Sequence, residues 1–179
     1  QGFANTTTCS CNPNYFISHD ELIYIMIMLK NKFLSFIIFA ITTYLASFMG
    51  GIATYTSKEP WYSSLTKASF NPPDWVFAPV WTTLYLLMTI SIWLVWHKNY
   101  KNLILIYLYF IHLIFNTTWS IVFFVYHNIL LALLNLIIII LFIIFLMFEF
   151  KKVSNLSFIL MMPYLLWSIY ALFLNINLL

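Results

Sequence analysis

The chain has 179 residues, of which 63% are apolar and only 7% are charged, and its eight lysines outnumber its five acidic residues. Soluble domains carry about 25% charged residues, so this composition excludes a soluble enzyme and predicts an all-α integral membrane protein. The net charge of +3 is spread along the chain in pairs of lysines, which does not indicate a nucleic-acid partner.

A polar head precedes the first apolar segment. We interpret residues 1–30 as an N-terminal extension outside the membrane domain, and residues 31–179 as that domain. Cys9 and Cys11 form a lone C-x-C pair in this head. A structural zinc site needs four ligands, so the pair predicts no metal site.

Five apolar segments of membrane length follow, at about 33–53, 80–96, 103–126, 129–148 and 158–174. A spanning helix needs about 20 apolar residues, so these segments predict a compact bundle of five transmembrane helices. The connections between them are short, and we expect sequential helices to be antiparallel neighbours. The fourth segment is the most uniformly apolar, and we expect it to be the helix most exposed to lipid.

The long connection between the first two spans is rich in aromatic residues and prolines, WYSSLTKASFNPPDWVFAPVWTTLY over residues 61–85. Pro72 and Pro73 remove two backbone donors and hold Asn71 extended, so no helix continues through them. Pro79 lies where a first-turn proline belongs, and the second helix should begin within a residue or two of it. We predict a stiff, structured loop.

Lysines divide unequally between the two ends of the predicted bundle. Lys58 and Lys67 lie at the loop end beside two acidic residues, and the other six lie at the opposite end. These six are Lys30, Lys32, Lys98, Lys101, Lys151 and Lys152. Positive residues favour the cytoplasmic side, so we expect a cytoplasmic N-terminus in a bacterial-type inner membrane, with an organelle membrane as the alternative.

Two predicted helices carry polar and aromatic side chains on one face. In the third span the residues at helical spacing are His112, Asn116, Trp119, Ser120 and Phe123. In the fifth span they are Pro163, Trp167, Ala171 and Leu174. Polar groups at membrane depth indicate function, although hydrogen bonding between helices explains Ser120 equally well and, to a lesser degree, Asn116. With Trp81 and Tyr85, these faces enclose either a flat aromatic cavity or a tightly packed core.

Other features of the spans narrow the choice of function. Ala46, Gly50 and Ala53 recur at helical spacing in the first span and predict close approach of a neighbouring helix. No acidic residue or lysine lies within a span, which argues against a proton-coupled pump. A serine, histidine and carboxylate set for nucleophilic catalysis is lacking as well, so we do not expect a hydrolytic enzyme.

Three runs carry a family resemblance: the loop sequence above, FNTTWSIVFF (115–124) and PYLLWSIYALFLN (163–175). In this order they resemble the TspO/MBR family, the tryptophan-rich sensory proteins, called translocator protein or peripheral-type benzodiazepine receptor in animals. The resemblance covers about residues 33–177. It implies a five-helix bundle, often a homodimer, whose first loop folds over a pocket for porphyrins or other tetrapyrroles that opens between helices one, two and five. Porphyrin or haem would be a ligand there and not an obligatory cofactor.

The resemblance also implies the ligand-binding residues. Carried onto this sequence, they are Trp61, Tyr62, Pro72, Pro73, Trp81, Tyr85, Asn116, Trp119, Phe123, Trp167, Ala171 and Leu174, and His112 joins them on the same helical face. Light-dependent porphyrin breakdown in some bacterial relatives is attributed to two tryptophans that match Trp81 and Trp167. We expect a sensor or regulator of tetrapyrrole levels under light or oxidative stress. A transporter of porphyrin or lipid and a light-dependent porphyrin-degrading enzyme are the alternatives.

The chain departs from the family pattern at several positions. Ala68 and Phe70 stand where the pattern has proline and tryptophan, which predicts a looser loop. His112 stands where glutamine is expected, so a haem iron could meet an imidazole, although a buried neutral histidine with one hydrogen bond explains the residue too. The residues after Asn175 lack the tyrosine and basic residue of the animal cholesterol motif, and we expect no sterol binding.

Overall fold

Five long helices make up most of the structure, a computed structural model that describes residues 31–99 and 103–179. They are α1 (Lys32–Ser57), α2 (Phe77–Lys98), α3 (Leu103–Ser120), α4 (Ile129–Val153) and α5 (Asn155–Ile176). Each is long and apolar enough to cross a membrane, α3 together with its extension to Val125. The predicted five-helix bundle is confirmed, and the predicted extension (1–30) lies outside the described residues.

Asparagine and serine side chains mark where helices begin. Asn31 accepts hydrogen bonds from the backbone N–H groups of Phe33 and Leu34 at 3.0 and 3.2 Å, and Asn128 caps α4 in the same manner. Such caps satisfy N–H groups that have no partner inside the helix. The second helix begins at Phe77, two residues before Pro79, as predicted.

The connection between α4 and α5 is shorter than the sequence predicts. The fourth span was expected to end near residue 148, before a polar stretch, whereas α4 continues to Val153 and contains Lys151 and Lys152 in its last turn. Ser154 alone separates the two helices, and its side chain caps α5. Lysines at a helix C-terminus interact favourably with the helix dipole, which is why a polar end need not be a loop.

The helices form a ring in the order α1, α2, α5, α4, α3. The expectation that sequential helices are neighbours is therefore wrong for α2 and α3, which make little contact. Ser91 on α2 instead donates to the carbonyl of Ser157 on α5 at 2.9 Å, and Thr43 on α1 hydrogen-bonds Tyr109 on α3 at 2.8 Å. In a membrane, such polar pairs and close packing choose the neighbours.

The expectation that α4 is the helix most exposed to lipid stays a prediction. α4 carries nine exposed large apolar side chains, against seven on α1 and six on α5, although 33% of its most apolar window is buried. Its place in the ring between α3 and α5 buries Ile139, Ile143 and Leu146. Uniform apolarity does not distinguish a helix that faces lipid from one that also packs against two neighbours.

The third helix ends in a π-helical turn, Ile121–Val125. The backbone N–H of Tyr126 bonds to the carbonyl of Ile121 at 3.1 Å, and His127 follows in a left-handed conformation with φ of 52°. This wider turn lets Phe123 and Phe124, adjacent in sequence, both join the buried cluster around Tyr62. Turns of this kind are frequent near functional sites.

Candidate functional site

The half of the bundle beside the long loop, called here the loop half, encloses a cavity of about 560 Å³. The C-terminal parts of α1, α3 and α5 and the N-terminal part of α2 surround it. Loop residues Lys58, Tyr62, Asn71 and Asp74 contribute a further part of its wall. A volume of this size lies within the range of small-molecule sites in proteins.

Stacked aromatic rings form two flat walls of the cavity. The rings of Trp81 and Tyr85 on α2 lie 5.5 Å apart at 29°. Those of Trp119 and Phe123 lie 5.1 Å apart at 13°. In each pair the residues are four apart, a spacing that puts side chains one above the other on a helix. With Trp167 from α5, these walls offer flat apolar faces to a ligand.

A chain of hydrogen bonds leads from the cavity wall into the bundle. The hydroxyl of Tyr85 donates to Oδ1 of Asn116, and Nδ2 of Asn116 donates to the hydroxyl of Tyr164 at 2.9 Å. That hydroxyl lies 2.9 Å from Nε2 of His112. Tyr85 and Asn116 line the cavity, whereas His112 is fully buried behind Tyr164. The chain therefore couples the wall to a histidine that a ligand in the cavity does not touch.

Charged and polar side chains tie the loop to the bundle. Lys58 at the end of α1 forms a salt bridge with Asp74 in the turn before α2. Nζ of Lys67 lies 4.4 Å from the centre of the Tyr62 ring, and the Tyr62 hydroxyl donates to Asn71 at 3.5 Å. Burial raises the pKa of the Tyr62 phenol. The hydroxyl therefore keeps its proton at neutral pH and remains a hydrogen-bond donor.

The loop also contacts α5 through Phe70, which stands where the family pattern has tryptophan. The hydroxyl of Tyr170 donates to the backbone carbonyl of Phe70 at 2.7 Å, and the two rings lie 6.3 Å apart. A backbone carbonyl serves this hydrogen bond whatever the side chain is. The expected looseness of the loop concerns its motion and stays a prediction.

The structure brings most of the predicted ligand residues together. Nine line the cavity: Tyr62, Trp81, Tyr85, Asn116, Trp119, Phe123, Trp167, Ala171 and Leu174. The structure places Pro72 and Pro73 in the loop and His112 behind Tyr164, outside the lining. Trp61 stacks on His127 at 4.4 Å and meets the ring of Phe123 at 5.1 Å, so it supports the wall. A role of any of them in binding stays a prediction.

Although the family resemblance implies a pocket that opens between the first, second and fifth helices, sequence reasoning named no residue of the wall that α1 contributes. Its residues there are Ser47, Gly50, Gly51, Thr54 and Tyr55. The signal was the recurrence of small residues, read only as a mark of close packing. Close packing is present, because a Cβ built on Gly50 would lie 3.1 Å from Oγ of Ser120 on α3. Beside the contact, the same small side chains leave room for the cavity.

The remaining lining residues were also not predicted. They are Lys58, Asn71, Asp74, Phe77, Ala78, Thr82, Ser120, Phe124, Asn175 and Leu178. Ser120 was recognised as polar on the right face but was not included in the site. Within the part of the chain that the structure describes, no group of three or more histidine, cysteine, aspartate or glutamate side chains could hold a metal ion.

Fold and site together define a multi-pass integral membrane protein with an aromatic, ligand-sized cavity in one half of a five-helix bundle. A sequence model of the TspO/MBR family matches residues 37–179. The chain belongs to this family, as the three sequence runs predict.

Relatives come from bacteria, archaea and animals. The chain is 36% identical over 133 residues to "Tryptophan-rich protein TspO" of Chlorobaculum tepidum, covering 71% of this chain and 84% of that one. It is 33% identical over 129 residues to the protein of the same name from Archaeoglobus fulgidus, covering 72% and 84%. It is 31% identical over 141 residues to "Translocator protein" of Homo sapiens, covering 76% and 83%.

Proposed function

We propose that the protein binds a porphyrin or related tetrapyrrole in the cavity and acts as a membrane sensor or regulator of tetrapyrrole levels under light or oxidative stress. The observation that carries this proposal is the pair of stacked aromatic walls around a space of about 560 Å³. A flat macrocycle can bury its faces against such rings, which favours it over a ligand of irregular shape.

One charged side chain suits the carboxylates that porphyrins carry at their edge. Lys58 lines the cavity at the loop, and its side chain is 24% exposed in its salt bridge with Asp74. Exposed ion pairs contribute only about 0–1 kcal/mol, so a ligand carboxylate can replace Asp74 as the partner at little cost. The macrocycle would then lie among the tryptophans with its acidic edge toward the loop.

Light-dependent porphyrin breakdown is a second candidate, supported by the positions of Trp81 and Trp167, which both line the cavity. On this view Trp81→Phe and Trp167→Phe abolish bleaching under light and leave porphyrin binding largely intact. Transport of a porphyrin through the bundle is disfavoured, because the half opposite the loop is filled by side chains without exposure, such as Met88, Ile92 and Met161. A carrier needs access to its site from both sides.

The proposal is tested by quenching of tryptophan fluorescence with protoporphyrin and with haem in detergent. We expect saturable quenching in the wild type and at least tenfold weaker binding in Ala171→Phe, because a phenyl ring there would occupy the space beside Trp167; this corresponds to about 1.4 kcal/mol. Absorbance is followed first in the dark and then under illumination. Bleaching only in light would add the photochemical role to the binding role.

The matched control is Ile159→Phe, which adds the same ring to the same helix at a position that is 57% exposed and outside the cavity. It should bind as the wild type does. Equal, non-saturable quenching in all proteins would mean that the porphyrin merely partitions into the detergent micelle. That result would overturn the proposed function.

We further propose that the N-terminus is cytoplasmic and that the loop faces away from the cytoplasm of a bacterial-type inner membrane. Lys32, Lys98 and Lys152 lie at the helix ends opposite the loop, in keeping with the positive-inside rule. With Cys9 and Cys11 replaced by serine, an impermeant maleimide applied to spheroplasts should label a cysteine at position 67 and not one at position 152. The reverse pattern would refute this orientation.

The homodimer that family membership suggests is a separate proposal. Several large apolar side chains of α1 are well exposed, among them Phe48 at 66% and Leu45 at 55%. Lipid or a second copy of the chain can cover such a face. Light scattering of the detergent complex, corrected for bound detergent, should give twice the mass of the chain, and a monomer mass would rule the proposal out.

A further inference from the structure

Three tyrosines buried within the spanning helices differ in what their hydroxyls contact. Tyr85, Tyr109 and Tyr164 are 5%, 0% and 0% exposed. The Tyr85 hydroxyl donates to an amide oxygen, and that of Tyr109 pairs with the hydroxyl of Thr43 at 2.8 Å. The hydroxyl of Tyr164 lies 2.9 Å from Nε2 of His112. Of these three partners, only imidazole has a basic nitrogen lone pair that forms a stable cation on taking a proton.

The direction of the hydrogen bonds follows from the donors available. The amide of Asn116 donates to the oxygen of Tyr164, so the proton of the Tyr164 hydroxyl is free to point elsewhere. Nε2 of His112 lies at the right distance to receive it, which places the ring proton of His112 on Nδ1. Nδ1 has no hydrogen-bond partner in either tautomer, and the opposite tautomer would in addition leave the proton of the Tyr164 hydroxyl without an acceptor. Tyr164 is therefore a phenol that donates to a base.

This phenol lies next to a tryptophan of the cavity. The rings of Trp81 and Tyr164 meet edge to face with centres 6.2 Å apart. Trp81 lines the cavity, and Tyr164 does not. An electron removed from Trp81 by anything in the cavity can thus be replaced by the adjacent ring without a large movement.

We propose that Tyr164 and His112 form a redox site that returns an electron to oxidised Trp81 while the tyrosine proton moves to the histidine. The oxidant is of the class of photoexcited porphyrins with dioxygen as the final acceptor, and to this extent the inference rests on the proposed function. The site would protect the cavity tryptophans from permanent oxidation. His112, where the family pattern has glutamine, supplies the base.

The step balances in electrons and protons. The excited porphyrin takes one electron from Trp81 and passes it to dioxygen, giving superoxide and a tryptophan radical cation. Tyr164 then gives one electron to Trp81, its O–H bond breaks, and the proton forms a new N–H bond at Nε2 of His112. The products are restored Trp81, a neutral tyrosyl radical and an imidazolium.

The low dielectric of the bundle favours this coupling of electron and proton. An isolated charge in such a medium is costly. The positive charge is already present on Trp81 before the step, and the step moves it to His112 without adding another. Without His112, Tyr164 would have to become a radical cation, because its other recorded hydrogen-bond partner, Asn116, is not a base. Tyr85 and Tyr109 are in that unfavourable situation.

The test uses ultraviolet laser flashes on the purified full-length protein without porphyrin, so that tryptophans lose electrons directly. Transient absorption then follows the tryptophan and tyrosyl radicals. We expect Tyr164→Phe to remove the part of the tyrosyl signal that arises from Tyr164, and Trp81→Phe to remove the same part. His112→Gln, which retains a hydrogen-bond partner but no base, should reduce that part by at least about tenfold, which is less than the roughly 100-fold or more that a positioned base typically supplies.

The matched control is Tyr109→Phe, which removes an equally buried tyrosine whose partner is not a base, and which should leave this part unchanged. Persistence of the Tyr164 signal in His112→Gln would overturn the inference, as would an undiminished signal in Tyr164→Phe. If His112→Gln does not fold, the rate of tyrosyl radical formation in the wild type is compared in heavy and in ordinary water. Formation should be slower in heavy water, and an unchanged rate would contradict the proton step. Porphyrin binding is not involved in this test, so its failure and that of the proposed function remain distinguishable.

Discussion

The two halves of the bundle are built from the same helices and similar residues but pack differently. Opposite the loop, Met88, Ile92, Ile143 and Phe150 are without exposure and fill the space between the helices. In the loop half, α1, α2, α3 and α5 surround a cavity, and nine of the 24 residues that line it are aromatic. Where large, rigid aromatic rings pack beside small residues such as Gly50, gaps remain between the helices that flexible aliphatic side chains would fill. Apolar composition alone therefore does not decide whether a helix bundle is solid or hollow.

The largest loss of stability is expected from a substitution that creates a cavity in the half of the bundle opposite the loop. Ile143→Ala should lower the unfolding free energy by about 3 kcal/mol, because the fully buried side chain loses its packing contacts and leaves a void. Leu174→Ala, in the cavity wall, should cost clearly less, since that side chain already borders empty space. Thermal unfolding in detergent checks both. Equal losses would show that the two halves are packed alike.

Close packing of α1 on α3 provides the next prediction. Gly50→Val should cost about 2 kcal/mol by overpacking, because even a Cβ at this position would lie 3.1 Å from Oγ of Ser120. The neighbouring Gly51 has nothing within 4 Å of its Cβ position, so Gly51→Val is the matched control and should be nearly neutral. Unfolding in detergent measures the pair, and equal values would refute the close contact.

A buried amide of the cavity wall should matter more than one elsewhere. Asn116→Leu should cost about 1–2 kcal/mol, because it removes the acceptor of the Tyr85 hydroxyl and the amide that donates to the Tyr164 oxygen. Asn135→Leu is the control: this side chain makes one 3.4 Å hydrogen bond to a carbonyl, and its Oδ1 has no partner. Thermal unfolding should show little change for it. A larger loss at Asn135 would contradict the importance assigned to the network.

The smallest effect on stability is expected at the loop. Asp74→Asn removes the salt bridge to Lys58 and should change the unfolding free energy by less than about 1 kcal/mol, since both partners are partly exposed. Binding of a dianionic porphyrin should become tighter, because Lys58 is then free to pair with a ligand carboxylate. Titration at low and at high salt checks this, and weaker binding in the variant would contradict the assigned role of Lys58.

Most of the cavity's aromatic wall could be predicted from local periodicity. Trp81 with Tyr85 and Trp119 with Phe123 lie four residues apart, and a helix places such residues on one face. The wall from α1 could not be predicted in this way, since Gly50 and Ser47 carry no sign of which space they border. His112 shares a face with Asn116 but lies behind Tyr164, because a residue from a distant helix separates it from the cavity.

The sequence by itself determined that the chain crosses a membrane five times and which helical faces carry its aromatic and polar groups. Both properties are local, since a backbone in lipid must satisfy its hydrogen bonds within one helix and the helical repeat assigns each residue to a face. Only the tertiary structure decided that α5 lies between α2 and α4, which residues of α1 line the cavity, and that His112 pairs with Tyr164. These properties depend on packing and hydrogen bonds between residues far apart in the chain, for which helical spacing holds no information.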